Sequence, residues 1–330
     1  MSERPLPAPT VRVRVPAKVN LFLAVRGPRP DGMHDIVSVM HTIGIHDVVS
    51  VRFEGPRVAC YHPAARRMLD VTIEHDAGID VPRDASNLAV RAARALADAL
   101  VRRGPATDDH DRVRAEPGAP VTRIELAKRI PVGAGMAGGS ADAAATLVAL
   151  NELWDAQLSR AEMRSVAAEV GADVPFCVGG GTALATGTGT ATAQVLCRSA
   201  LHWAVGISDQ PLSTAEVYRM WDRVAAPSAV EPDAVLQALR AQDTEALGAA
   251  LHNDLEQAAF RLRPQLRDAK ESLLDAGALG AVMSGSGPTV LGVAGDPQHA
   301  RRLAAAVAHR FDRVEVARSP AGGPEIISGS

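Results

Sequence analysis

The sequence predicts an α+β protein built in two halves, and three observations carry that expectation. β-Branched residues alternate through VRVRVPAKVNLFLAV (11–25) and HDIVSVMHTIGIHDVVSVRFE (34–54), the period-2 pattern of half-buried strands. Apolar residues then recur at helical spacing in several later segments. From Leu201 onward, with the helices near 232–240 and 244–276 set aside, the patterns run β-α-β-β-α-β, a split βαβ order. A chain of 330 residues, 47% of them hydrophobic, is long enough for two ordinary cores.

Taken in order, residues 11–25 read as a strand pair, with Pro16 marking a bulge or an edge because proline cannot donate to a central ladder. Residues 34–54 read as two or three strands. Ser86 is placed as the N-cap of a helix whose buried face is Ala89, Ala92, Ala93, Leu96, Ala97 and Leu100, with Gly104 as its stop. Residues 104–120, full of Gly, Pro and charge, read as a surface loop, and VTRIELAK as the strand after it. One helix is expected near 140–152; a second opens with a capping box, Ser159 to Glu162, and closes at Gly171. In the second half LHWAVGIS is a strand, Ser213 with Glu216 caps a helix, LGAVMSGSGPTVLGVAG is a hairpin, a helix starts at Pro297 and RVEVA is the last strand. The closing SPAGGPEIISGS reads as a frayed tail.

Composition narrows the function classes. The formal charge is −3 and no run of Lys or Arg exceeds two residues, which argues against a nucleic-acid surface and for a small soluble substrate. Cys60, Cys177 and Cys197 show no CxxC spacing, so neither a disulfide framework nor a zinc site is supported and a reducing compartment is expected. The N-terminal residues lack the apolar core of a signal peptide and no apolar run reaches membrane-spanning length, so a cytoplasmic location is expected.

The chemistry concentrates in IPVGAGMAGGSADAA (130–144), where Gly133, Gly135, Gly138 and Gly139 precede an alanine-rich helix. Three readings compete. Gly133, Gly135 and Gly138 satisfy G-x-G-x-x-G with Asp155 further on, but a dinucleotide unit needs a strand running into the first glycine and another ending at the acid, and Asp155 falls in a turn between helices. Gly133, Gly138 and Ser140 fit a Walker loop, yet Gly139 stands where its lysine should be. The third reading is a phosphate cradle of backbone N–H groups at a helix N-terminus, which needs a cation from elsewhere. Against all three stands the plain reading that the glycines only permit tight turning.

Together with PAKVNLFL near the start and MSGSGPTV near the end, in this order and at these distances, the glycine loop resembles that of the GHMP kinases. AKVNLFL, RPDGMH (29–34) and VGADVPF (170–176) narrow the resemblance to members that phosphorylate a cytidyl-bearing alcohol in non-mevalonate isoprenoid precursor synthesis. It covers nearly the whole chain and is weakest at 104–120, at 225–250 and in the tail. It implies a ribosomal S5-like first domain (1–197), a ferredoxin-like second domain (198–318) and a flexible tail (319–330). ATP would lie against the glycine loop with Mg²⁺ on the nucleotide, the cytidyl substrate would occupy the cleft between domains, and the protein would be a monomer or weak homodimer.

The resemblance also assigns residues. Lys18, otherwise a strand lysine, becomes the cation that the glycine loop lacks, and Asp173, otherwise a turn carboxylate, becomes the base for the substrate hydroxyl. Pro131, Val132, Gly133, Ala134, Gly135, Met136, Ala137, Gly138, Gly139, Ser140 and Ala141 form the nucleotide loop, Ser140 being either its helix N-cap or a phosphate or metal contact. Asn87 and Lys128 match positions lining the adenine pocket. Asn20 touches the substrate or orders Lys18. His34, in DGMH, and Tyr218, on the helix after Thr214, hold the cytosine, with Met33 standing where the family has an aromatic residue. Gly285 and Ser286 bring backbone close to the substrate's phosphate. Another GHMP kinase, acting on mevalonate, a sugar or homoserine, remains an alternative. A nicotinamide-dependent oxidoreductase and a non-catalytic nucleotide-binding protein are more distant ones.

Overall fold

The computed structural model describes residues 10–54, 71–75, 81–103 and 121–329; the 104–120 segment and Cys60 lie outside them. Two strands dominate the first half, β1 (Thr10–Pro28) and β2 (His34–Glu54), paired antiparallel along nearly their full length. Each is one long strand, not the two or three shorter ones expected. Gly44 continues β2 rather than turning it, and marks a close approach, since a Cβ there would lie 3.0 Å from the carbonyl of Arg318. Register shifts fall at Pro16/Ala17, Asn20/Phe22 and Val25/Gly27, so Pro16 does sit at a bulge, where its missing N–H costs no ladder bond.

The first sheet has the order β12-β1-β2-β4-β3, with β3 (Val71–His75), β4 (Val121–Ala127) and β12 (Glu325–Gly329). β5 (Thr182–Gly187) pairs with the other end of β2, β6 (Ala191–Gln194) with β5, and the two-residue β8 (His252–Asn253) with β1. The segment 319–329, expected as part of a frayed tail, instead carries a strand: β12 hydrogen-bonds along the open edge of β1, Val13 facing Ile326 and Arg14 facing Glu325, because that edge otherwise leaves a row of unpaired backbone groups.

Helices α1 (Leu88–Arg103), α2 (Gly138–Leu153), α3 (Arg160–Val170) and α4 (Val174–Gly179) contribute to one core with this sheet. Within α2, Ala141, Ala143, Ala144, Ala145, Leu147, Ala149 and Leu150 are all buried, as expected of a helix apolar all round. Its small side chains let it lie close to the strands. Ser159 and Glu162 form the capping box of α3. The cap of α1 is not Ser86, which bonds to Asp84, but Asn87, whose Oδ1 accepts from the Ala89 N–H.

The second sheet has the order β11-β7-β10-β9, all antiparallel, from β7 (Leu201–Ile207), β9 (Gly280–Met283), β10 (Val290–Ala294) and β11 (Arg313–Ser319). With α5 (Thr214–Val224) after β7 and α10 (Pro297–Val307) after β10, this is the ferredoxin-like arrangement. The long helix expected at 244–276 is broken into α7 (Thr244–Ala250), α8 (Glu256–Leu262) and α9 (Gln265–Asp275), with α6 (Asp233–Ala241) before them. The breaks follow from Asn253, whose side chain bonds backbone, and from Pro264. No helix among the described residues is long and apolar enough to cross a membrane.

Candidate active site

β1 alternates buried and exposed side chains from Val11 to Val15, then is buried at every residue from Val15 to Val25. Lys18 and Asn20 fall inside that stretch, so their polar groups must find partners within the protein. Lys18 Nζ bonds Asn20 Oδ1 at 3.2 Å and forms an ion pair with Asp173 Oδ2 at 3.1 Å. Asn20 in turn donates to Ser38 Oγ at 2.7 Å, and that hydroxyl donates to the carbonyl of Phe22. Asp173 sits at the N-terminus of α4 without capping it, since Pro175 follows within the first turn, and its carboxylate is left for Lys18.

Lys18, Asn20 and Asp173 line a cavity of ≈ 520 Å³. One wall is the glycine loop: Pro131, Gly133, Ala134, Gly135, Ala137, Gly138, Gly139 and Ser140. The loop's carbonyls are held from behind, Ala134 O by Thr289 N (3.4 Å), Gly135 O by Ser284 Oγ (2.8 Å) and Met136 O by Lys18 N (3.1 Å). Gly135 has φ +74, and a Cβ on it would lie 2.2 Å from the Ser284 carbonyl. Ala137, also left-handed at φ 53, is the N-cap residue of α2 and makes no side-chain cap. Ser140 is thus not the cap; it is the third residue of the helix, and it lines the cavity within the first turn, whose N–H groups have no intrahelical acceptor.

Thr214, Tyr218, Gly285 and Ser286 also line the cavity, with the Thr214 and Ser286 hydroxyls 2.8 Å apart. His34 stacks beside Tyr218, ring centroids 4.6 Å apart, and meets the edge of Trp221 at 5.7 Å. Its Nε2 lies 2.8 Å from Asp222 Oδ1. Burial raises the Tyr218 hydroxyl to about 12, with the nearby Asp173 charge adding to it, so the ring offers a neutral phenol at all ordinary pH.

Not every expected residue reaches the cavity. Val132 is exposed outside it, Met136 and Ala141 are buried in the core, and His34 does not line it but packs against Tyr218. Asn87 uses its amide on the Pro82 carbonyl and the α1 cap. Lys128 is buried away from the cavity lining, its ammonium bonded to Asp142 Oδ2 at 2.6 Å and to Asp47 Oδ2. Burial raises the Asp142 carboxyl while Lys128 works against that rise. For Lys128 burial lowers the pKa, but the two carboxylates outweigh it and the net direction is up.

Sequence reasoning missed Asp47, Asp142, Ser38, Asn253 and Asp222. Two of them left a signal: Asp47 is in phase with the buried Ile43, Ile45, Val49 and Val51, and Asp142 stands alone in an alanine run. Asn253 supports the other glycine turn, its amide donating to the carbonyls of Met283 (2.6 Å) and Gly285 (2.8 Å).

A glycine cradle at a helix N-terminus, facing a buried lysine–carboxylate pair, defines a small-molecule phosphotransferase of the GHMP type. The model of the GHMP kinases N terminal domain matches residues 87–181, and that of the GHMP kinases C terminal domain residues 235–313. The chain is 42% identical over 325 residues to a 4-diphosphocytidyl-2-C-methyl-D-erythritol kinase of Salinispora arenicola, covering 96% of this chain and 94% of that one. It is 45% identical over 305 residues to a kinase of the same name from Thermobifida fusca, covering 91% and 92%. A crystal structure of 4-(cytidine 5'-diphospho)-2C-methyl-D-erythritol kinase superposes with a TM-score of 0.70 at 30% identity, over 94% of this chain and 100% of that one. Homoserine kinase from Cytophaga hutchinsonii, at 19% identity and a TM-score of 0.71, shares the fold. The chain belongs to the 4-diphosphocytidyl-2-C-methyl-D-erythritol kinase family of GHMP kinases.

Proposed function

We propose that this protein transfers the γ-phosphoryl group of ATP to the 2-hydroxyl of 4-diphosphocytidyl-2-C-methyl-D-erythritol, a step of non-mevalonate isoprenoid precursor synthesis. The observation that carries the reading is the Lys18–Asp173 pair in a cavity lined by the glycine loop and by Tyr218. Asp173 takes the proton of the attacking hydroxyl as its oxygen bonds the γ-phosphorus and the bond from that phosphorus to the β,γ-bridging oxygen breaks, releasing ADP. Lys18 Nζ, oriented by Asn20, faces the charge on the transferring group. The N–H groups at the start of α2 hold the nucleotide phosphates, and Ser140 adds its hydroxyl.

Mg²⁺ fits this donor set as a phosphate-bound ion, because it keeps several waters and needs few protein oxygens; Ser140 is the residue that would hold it. It would neutralise charge on the β- and γ-phosphates. Tyr218, which lines the cavity, and His34, packed against its ring, take the cytosine, with Met33 packing softly where an aromatic ring would otherwise close the site.

ADP release from Mg·ATP tests the reading. Turnover is expected with 4-diphosphocytidyl-2-C-methyl-D-erythritol and not with the erythritol lacking cytidine, mevalonate, galactose or homoserine. Turnover with one of the others instead would overturn the substrate assignment.

A further inference from the structure

Lys128, Asp47 and Asp142 form a buried ionic cluster that does not line the cavity and has no place in the phosphoryl transfer described above. Its geometry relates it to the glycine loop. Asp47, on β2, uses Oδ1 to accept the N–H groups of Arg129 (2.6 Å) and Ile130 (2.8 Å), the two residues that lead from β4 into the loop. Its Oδ2 accepts from Lys128 Nζ. Lys128 reaches on to Asp142 Oδ2 at 2.6 Å, in the second turn of α2, the helix into which the loop runs. The two ends of the loop are thus tied to each other through one ammonium.

The packing around that ammonium is close. A Cβ on Gly138, the first residue of α2, would lie 3.0 Å from Ile130 Cγ2 and 3.3 Å from Lys128 Nζ, so the helix start rests directly on the cluster. The side chains of Lys128, Asp47 and Asp142 are 1%, 0% and 4% exposed. At that depth the ion pairs are unscreened by solvent: removing Lys128 would leave two carboxylates without a cation, whereas removing Asp142 leaves Lys128 still paired with Asp47. Two carboxylates on one lysine is an expensive arrangement if its only purpose is stability.

We propose that Lys128, Asp47 and Asp142 act as a clasp that closes the glycine loop at its base and thereby positions its N–H groups for the nucleotide phosphates. They are positioning residues: Lys128 serves the phosphates through the loop and not the adenine by contact. The inference rests on residues 131–140 being the phosphate cradle.

The test is steady-state kinetics of Asp142→Ala and Asp142→Asn in the full chain, with KM read separately for ATP and for the cytidyl alcohol. Asp142→Ala is expected to raise KM for ATP about 10- to 100-fold, the scale of a misplaced binding group, with KM for the alcohol within about twofold of wild type. Asp142→Asn keeps an oxygen for Lys128 and is expected to restore most of that loss. Amide hydrogen exchange across 131–137 should quicken in Asp142→Ala and not in Asp142→Asn. Should Asp142→Ala fail to fold, the triple variant Asp47→Asn with Lys128→Met and Asp142→Leu removes the ionic link and strands no buried charge, while the amide at position 47 keeps an oxygen to accept the Arg129 and Ile130 N–H groups, and the same rise for ATP is expected. A folded variant with wild-type KM for ATP, or with both KM values raised alike, would overturn the clasp. Wild-type protein that binds no non-hydrolysable ATP analogue would overturn the cradle reading itself, and the clasp with it.

Discussion

Lys18 Nζ stands 3.1 Å from Asp173 Oδ2, joining the middle of β1 to the N-terminus of α4. The lysine is buried while the carboxylate keeps one side toward the cavity, at 7% and 30% side-chain exposure. The pair therefore presents a cation and a base to the same small volume. Lys18→Met, which keeps the length and apolar stem, should lower kcat by about 10²- to 10³-fold, the usual loss for one group aimed at developing charge. KM for ATP should change far less. Stopped assays of ADP release give both numbers.

The glycines of the loop should separate into two kinds. Gly135→Ala forces a Cβ against the Ser284 carbonyl at a left-handed φ, so a loss of stability of about 1–3 kcal/mol or more is expected, together with loss of ATP binding. Gly139 has ordinary φ, and a Cβ there would meet only Leu88, with Cδ1 at 3.5 Å. Gly139→Ala should leave Tm equal or slightly raised, since alanine favours a helix by about 1 kcal/mol over glycine. It should nonetheless weaken ATP binding if phosphate approaches that backbone. Thermal unfolding and nucleotide titration of the two variants read the contrast.

Asp222 accepts from His34 Nε2 and is four residues along α5 from Tyr218. The bond fixes the ring and leaves Nδ1 as the free nitrogen. Asp222→Ala should therefore raise KM for the cytidyl alcohol, by about tenfold for a freed contact of this kind, and leave KM for ATP unchanged. Equal effects on both substrates would contradict the placement of His34 on the substrate side.

His41 bridges the two halves of the molecule, bonding Thr182 Oγ1 and Ser319 Oγ at 2.7 Å each, and burial pushes its pKa down to about 3. Below a pH of about 6.5 the unfolded chain takes a proton there that the folded chain does not. Its contribution is therefore complete above that value and is lost as pH falls toward 3, at up to about 1.4 kcal/mol per pH unit. In urea unfolding, the stability difference between wild type and His41→Gln should shrink steadily from pH 7 to pH 4. A constant difference would contradict the assignment.

Much of the fold is legible in the sequence because its signals are local. The β-α-β-β-α-β order from Leu201, the capping box at Ser159 and the bulge at Pro16 each depend on residues close in sequence. What escapes depends on distant pairing. The strand at Glu325–Gly329 exists because β1 offers an edge more than 300 residues away. In the site, the glycine loop and Lys18 stand out by composition and by resemblance. Ser140 looks like the cap in the sequence, yet Ala137, not a usual left-handed residue, starts the helix earlier. Lys128 escapes for a related reason. Its partners Asp47 and Asp142 come from elements 81 and 14 residues away, and only their position within apolar patterns points to their burial.

The central claim is that Asp173 accepts the proton of the substrate hydroxyl, and Asp173→Asn tests it most directly because the amide keeps the shape and removes the base. The expected result is a fall in kcat of about 10²- to 10⁴-fold, with dissociation constants for an ATP analogue and for the cytidyl alcohol within a few-fold of wild type by calorimetry. Wild-type turnover in a folded Asp173→Asn protein would contradict the account.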